Sequence, residues 1–334
     1  MSNPSPSVSS VVNNEAPIPS KIHGQKNMPS PVSILLSLCL ATLAVTAHES
    51  PEHNVQRLTR GIKPNRTADQ LFQRAAANRA LGQLEKAAAD LHSAISLDAT
   101  RLSYPLELCR VQLALCQPTQ ALDTANNALK LAQSATQRAR VHILRAEAYQ
   151  LGQQPKPSLQ AVQIAFNEAP RGEIEWFLLR SENQRQLQLH AQRIADLKAG
   201  LDLHHSAVLK AHWIDALIDA RHFPNALPLI DAELTDRRWK SSWLIKRARA
   251  LQGLQRDTEA TANLRAALTE INSRLIPTRP DPFLLADQGT AHALLGNQTQ
   301  ARSCLENLHQ HRAPRWITSR LESLTGKLQT PYTP

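Results

Sequence analysis

Charged residues recur along this 334-residue chain at intervals near 34, and they are the side chains whose spacing could support chemistry. Glu147, Glu182 and Asp215 stand 35 and 33 residues apart by subtraction of their numbers, with Arg110 before them and Arg249 after. Arg185 follows Glu182 at the spacing that brings two side chains together on one helix face. Three carboxylates repeated in this way could receive a basic or amine-bearing segment, with the arginines orienting its ends. The competing reading is that they are solvated charges or pair with Arg185. A second charged series recurs at the same period. Arg74, Arg145, Arg180 and Arg247 each stand directly before a small residue. Sixteen residues after the first and third of them come Asp90 and Asp196, both in the sequence Ala-Asp-Leu. Arg145 and Arg247 have Ala161 and Asn263 in that place, which leaves them freer to meet ligand or solvent.

Other chemistries find little support. No nucleophile constellation, catalytic carboxylate pair, phosphate loop or dinucleotide fingerprint is present, so the chain reads as non-catalytic and without a cofactor. His204, His205 and His212 cluster in sequence, as do His309 and His311, but no Cys-x-x-Cys or His-Glu-x-x-His spacing makes them converge on a metal. Cys109 and Cys116 on one helix would stand ~10 Å apart, too far for a disulfide. The reading for them and for Cys304 is small buried hydrophobes. Lys and Arg number 38 against 28 Asp and Glu, a net charge of +10. Such a balance attracts polyanions, so an anionic envelope polymer is a second candidate partner. Nucleic acid is disfavoured, because aromatic residues make up only 4% and offer few stacking platforms.

The elements that would hold these residues follow from small and large apolar anchors. Leu71 to Leu97 reads as two amphipathic helices joined at Leu81-Gly82-Gln83, with Ala75, Ala87, Leu91 and Ala94 as anchors. The same spacing returns from Cys109, Ala146, Ser181, Ile214, Ala248 and Gly289, in steps of 34, 37, 35, 33, 34 and 41 by subtraction. With Tyr149, the turn residues Gly82, Gly152 and Gly296, and Pro170, this pattern resembles the tetratricopeptide repeat family over roughly residues 68–315. Arg193, Glu233 and Leu308 depart from it where the family prefers alanine. The resemblance implies an all-α, right-handed α-solenoid of about seven helix pairs, with the residue after each first anchor facing a concave groove. Arg110, Glu147, Glu182, Asp215 and Arg249 are such residues, and Arg185 lies a helical turn further on. It also implies that Arg74 with Asp90, and Arg180 with Asp196, form ion pairs across their helix pairs.

A solenoid needs caps, because each unit buries its face only against neighbours. Val55, Leu58 and Ile62 give residues 48–67 a helical stripe at the N-terminal end. Trp316, Ile317, Leu321, Leu324 and Leu328 do the same for 316–328, with Gly326 in the last turn. The long steps place extra residues near 133–137 and in a proline-stiffened loop near 275–281. Before the first cap, residues 1–27 are rich in Ser, Pro and Asn, and 31–47 read as a secretory signal cleaved after Ala47. An uncleaved anchor is the alternative and would be the sole membrane contact. Export to the periplasm or outside is therefore expected, leaving 36 basic against 27 acidic residues. The partner expected for the groove is a protein or peptide segment.

Overall fold

Seven helix pairs stack in line between two single helices in this computed structural model, which describes residues 50–60, 67–235, 237–276, 278–311, 313 and 315–326. Helix α1 (Pro51–Arg60) leads into the pairs α2 (Ala68–Ala80) with α3 (Leu84–Leu97) and α4 (Ser103–Ala114) with α5 (Pro118–Leu129). Next come α6 (Ala135–Leu151) with α7 (Pro155–Glu168), and α8 (Ile174–Gln186) with α9 (His190–His204). Then follow α10 (Ala207–Asp219) with α11 (Phe223–Thr235), α12 (Ser241–Gly253) with α13 (Asp257–Arg274), and α14 (Pro282–Leu294) with α15 (Gln298–Gln310). Helix α16 (Arg315–Leu324) ends the row. No strand occurs among the described residues.

The anchors make the stack. Every one of them is buried except Glu233, and most have no exposed surface at all. Small side chains at these places let the two helices of a pair approach closely. Where a polar atom replaces alanine, the partner helix satisfies it: Ser158 Oγ donates to the Ala146 carbonyl at 2.7 Å and Cys109 Sγ to that of Ala121 at 3.0 Å. Burial pushes the Cys109 thiol up to about 12 and that of Cys304 to about 11, so both stay protonated. All three described cysteines are unbridged.

The turn inside each pair is built the same way seven times. Gly82, Cys116, Gln153, Gln188, Arg221, Gln255 and Gly296 all have positive φ, between 57° and 80°. The next amide reaches back five residues each time, as Gln83 N does to the Asn78 carbonyl at 2.8 Å and Leu189 N to that of Gln184 at 2.9 Å. That is a Schellman closure, which left-handed backbone at C′ permits. Gly152, read from sequence as a turn residue, has ordinary helical φ, and Gln153 takes the strained position instead.

The first helices of successive pairs touch one another, α2 with α4 and so on to α12 with α14, whereas the second helices of successive pairs do not. The row therefore curves with the first helices inside, and their exposed face is the concave one. The extra residues of the first long step lengthen α6 at its start, where Ser134 and Gln137 form a capping box. Those of the second extend α13 to 18 residues before the link 275–281, so much of the insertion is helix and only its end is loop. The N-terminal helix is described over Pro51–Arg60, and residues 48, 49 and 61–66 of the expected 48–67 lie outside the described residues. The C-terminal one covers 315–324, with Gly326 (φ +70°) lying beyond its end. Ile317 and Leu321 pack on the core of the last pair, as a cap requires. The expectations for Leu58, Ile62, Trp316, Leu328 and the segment 31–47 lie outside the described residues.

Candidate functional site: the charged inner face

Residues at the anchor-plus-one position, expected to face the concave side, share their helix face with a further row three residues before them. That row includes Glu107, His212, Lys246 and Asp287. Together the rows form two electrostatic halves.

In the N-terminal half, Glu107 is buried and accepts from Arg79 Nε at 2.5 Å and Arg110 Nη1 at 3.2 Å. Arg110 is thus tied to its own helix while nearly half of its side chain stays exposed. Glu182 accepts from Arg185 Nε and Nη2 at 2.8 and 2.6 Å, and from Gln186 Nε2 at 2.9 Å. Burial alone would raise its pKa, but the Arg185 hydrogen bonds outweigh this and lower it. Between these pairs stands Glu147, half-buried, with no hydrogen bond or ion pair among the described residues. Burial pushes its carboxyl up to about 7, against the pull of Arg110. A carboxylate without a bound cation in a low-dielectric place loses its charge readily.

In the C-terminal half every arm of a network meets at Asp215 and Asp219, one turn apart on α10. Asp215 accepts from Lys246 Nζ at 2.5 Å, Arg249 Nη1 at 2.7 Å and Arg320 Nη1 at 2.8 Å. Asp219 accepts from Arg249 Nη2 at 2.5 Å and Arg193 Nη1 at 2.7 Å, with Arg320 Nη2 at 3.7 Å. Burial opposes ionisation of Asp215, yet Arg320, Lys246 and Arg249 hold it well below the usual carboxylate range. Asp219 is lowered too, by Arg320, Arg249 and Arg193 against the effects of burial and Asp215. Nearby, burial raises Asp287 to about 6 and drives His212 down to about 4, which leaves that imidazole neutral. Among the described residues no group of three potential ligands is placed to hold a metal ion.

The six groove residues named from sequence fall into two sets by their contacts. Asp215 and Arg249 are engaged with each other and with Lys246 and Arg320, so Asp215 is not an open carboxylate, as the sequence reading had it. Glu182 and Arg185 are mutually paired. Glu147 is open. Sequence reasoning missed Arg193, Asp219, Lys246 and Arg320. Arg193 stands where an anchor alanine is usual; it is buried, donates to Ser181 Oγ at 2.9 Å, and sends its far end through to Asp219. The departure from the repeat pattern was the available signal. For Arg320 there was none, since it comes 105 residues after Asp215, from the terminal helix.

The two pairs expected across helix pairs are also in place. Arg74 clasps Asp90 with Nε at 2.7 Å and a second contact from Nη2, while Asn78 adds a bond at 3.2 Å. Arg180 Nε lies 3.1 Å from Asp196, its guanidinium 4.2 Å above the Phe166 ring, and Gln184 completes the carboxylate at 2.6 Å. Arg247, which the sequence leaves freer to meet ligand or solvent, donates to Asp231 of the preceding unit at 2.7 Å. Arg145 contacts His142 at 3.2 Å.

No protein-family model matches this chain, and no curated protein matches it. Among solved structures, a tetratricopeptide repeat protein from Parabacteroides merdae superposes with a TM-score of 0.59 at 15% identity, over 78% of this chain and 98% of that one. A structure of Pseudomonas aeruginosa pilF aligns at 17% identity over 60% of this chain and 89% of its own, with a TM-score of 0.49. YrrB, a TPR protein with an unusual peptide-binding site, aligns at 14% identity over 54% and 91%, with a TM-score of 0.45. At such identities the likeness is one of fold, and the fold is that of the tetratricopeptide repeat solenoids.

Proposed function

We propose that this repeat solenoid is a non-catalytic protein-interaction scaffold that takes a basic or amine-bearing segment of a partner into the N-terminal half of its concave face, at Glu147. One observation carries the reading. Glu107, Glu182, Asp215 and Asp219 each already hold a cation of the chain itself and Asp287 feels the pull of Lys246, Arg320 and Arg274, whereas Glu147 has the pull of Arg110 alone and pairs with no cation among the described residues. An arriving ammonium or guanidinium would restore the charge that burial suppresses there, a gain made only in the complex. The Arg110–Glu107 and Arg185–Glu182 pairs flank the place and supply polar contacts for the segment's backbone and neighbouring side chains.

The test is a peptide array in which one position runs through Lys, Arg, Gln and Leu, probed with wild type and Glu147→Gln. Selection for Lys or Arg at a defined position, lost in the variant, supports the assignment. A selection that Glu147→Gln leaves unchanged overturns it. We further propose that residues 31–47 export the chain to the periplasm or beyond. A cell-envelope fraction whose protein begins at His48 supports this, and a chain found only uncleaved in the cytosol overturns it.

A further inference from the structure

We propose that the edge of the solenoid formed by the described residues of two links, 237–240 before α12 and 275, 276 and 278–281 before α14, docks on an anionic lipid surface. The two links belong to one surface. Glu270, near the end of α13, accepts from the backbone amides of Lys240 at 2.9 Å and Ser241 at 3.2 Å, and Arg274 lies 4.4 Å over the Trp239 ring. Arg238 stacks on the same ring at 4.8 Å.

Large apolar side chains protrude here. Trp239 is 44% exposed, Ile276 is 61% exposed, and Phe283, in the first turn of α14, is 46% exposed. They are half of the six large hydrophobic residues exposed among the described ones. The charge around them is positive. In sequence the two links and their approaches hold Arg237, Arg238, Lys240, Arg274 and Arg279 against Asp236 and Asp281. Glu233 takes Arg237, Glu270 takes Arg274, and Asp281 caps α14 by accepting from Phe283 N at 2.8 Å. Among the described residues, Arg238, Lys240 and Arg279 have no carboxylate within ion-pairing distance.

An indole flanked by guanidiniums, beside exposed aliphatic and aromatic side chains, suits the boundary between lipid headgroups and acyl chains. There Trp is favoured and each cation near an anionic surface strengthens the attachment. A soluble polyanion would use the cations and leave Ile276 and Trp239 in water. This apolar component is what favours lipid over polymer, and the inference is independent of the groove.

The experiment is co-sedimentation of the full chain with vesicles of phosphatidylcholine alone and of phosphatidylcholine with phosphatidylglycerol, with heparin binding measured in parallel. Wild type is compared with Trp239→Ser/Ile276→Ser and with Arg238→Glu/Arg279→Glu, each checked for an unchanged helical circular dichroism spectrum. The expected result is binding to the phosphatidylglycerol vesicles that falls about tenfold or more in both variants, and little binding to phosphatidylcholine alone. Brominated lipid should quench wild-type tryptophan fluorescence more than that of the Trp239→Ser variant. Vesicle binding retained by the Trp239→Ser/Ile276→Ser variant overturns the proposal, because other residues would then carry it. Heparin binding with no vesicle binding also overturns it, and marks the edge as a polyanion site.

Discussion

Replacing Glu147 with Gln should stabilise the protein, and should do so only above mildly acidic pH. The carboxyl is raised from 4.5 to about 7 by burial, so the folded state holds its proton more tightly than the unfolded chain does. A group shifted upward contributes fully below its unfolded pKa, and the contribution disappears as pH rises through the folded value. At ~1.4 kcal/mol per pH unit, the gap between 4.5 and about 7 sets an upper limit of ~3 kcal/mol on the destabilisation that wild type accumulates. Water reaching the partly exposed side chain, and relaxation around Arg110, reduce this, so a difference of ~1–2 kcal/mol is expected. Glutamine keeps the shape without the charge. Urea unfolding at pH 4.5, 6, 7 and 8 should give curves for the two proteins that nearly coincide at the lowest pH and separate progressively to pH 8. Taking the difference between them removes the parallel titration of Asp287. A difference that is constant across the range, within ~0.5 kcal/mol, would refute the claim that Glu147 is buried without a cation. Adding a basic peptide that binds at Glu147 should lower its pKa and shrink the separation.

Asp215→Asn should cost ~3–5 kcal/mol, because Lys246, Arg249 and Arg320 would be left crowded without their acceptor. Arg320→Met should cost only ~1–2 kcal/mol, because Asp215 keeps two cations; equal losses in urea unfolding would contradict the network as described. Gln188→Gly should raise stability by up to ~1 kcal/mol, since Gln188 has φ +58° in a turn that Gly82 and Gly296 occupy without strain in other pairs. A lower melting temperature for that variant would show that the side chain supplies something the turn needs. Ala146 is wholly buried between helices, and Ala146→Leu should over-pack it at ~1–3 kcal/mol; an unchanged thermal midpoint would argue against the helix register.

The repeat was legible because it is local. Ala75, Ala87, Leu91 and Ala94 and their six successors meet within one helix pair or with the next, so their spacing alone determines which surfaces can approach. The ion pairs Arg74–Asp90 and Arg180–Asp196 are local in the same sense. Legibility failed where side chains reach past their neighbours. Arg247 was matched to the position sixteen residues ahead, but its partner Asp231 lies sixteen behind. The terminal helix was recognised by Ile317 and Leu321, whose apolar stripe says nothing about where Arg320, on another face, will land. The row containing Glu107, Lys246 and Asp287 was available from helical spacing read backwards from the groove positions, and would have shown that most of the carboxylates had cations at hand.

Arg193 shows why the two halves of the groove differ. An alanine at that anchor would have filled the contact between α8 and α9 and stopped there. The arginine instead runs through the contact, bonding Ser181 on the way, and delivers a guanidinium to Asp219. Cations from α9, α12 and α16 thereby converge on two carboxylates of α10, tying four helices of the C-terminal half together. Displacing any of them with a ligand would leave a buried charge unpaired, at a cost of several kcal/mol that a partner's own contacts would first have to overcome. Glu147 carries the opposite balance: its unfavourable term exists in the free protein, and a cation brought to it would relieve it. On the proposed reading, desolvation therefore favours the N-terminal half for a basic segment, although Asp215 stands in the same sequence pattern.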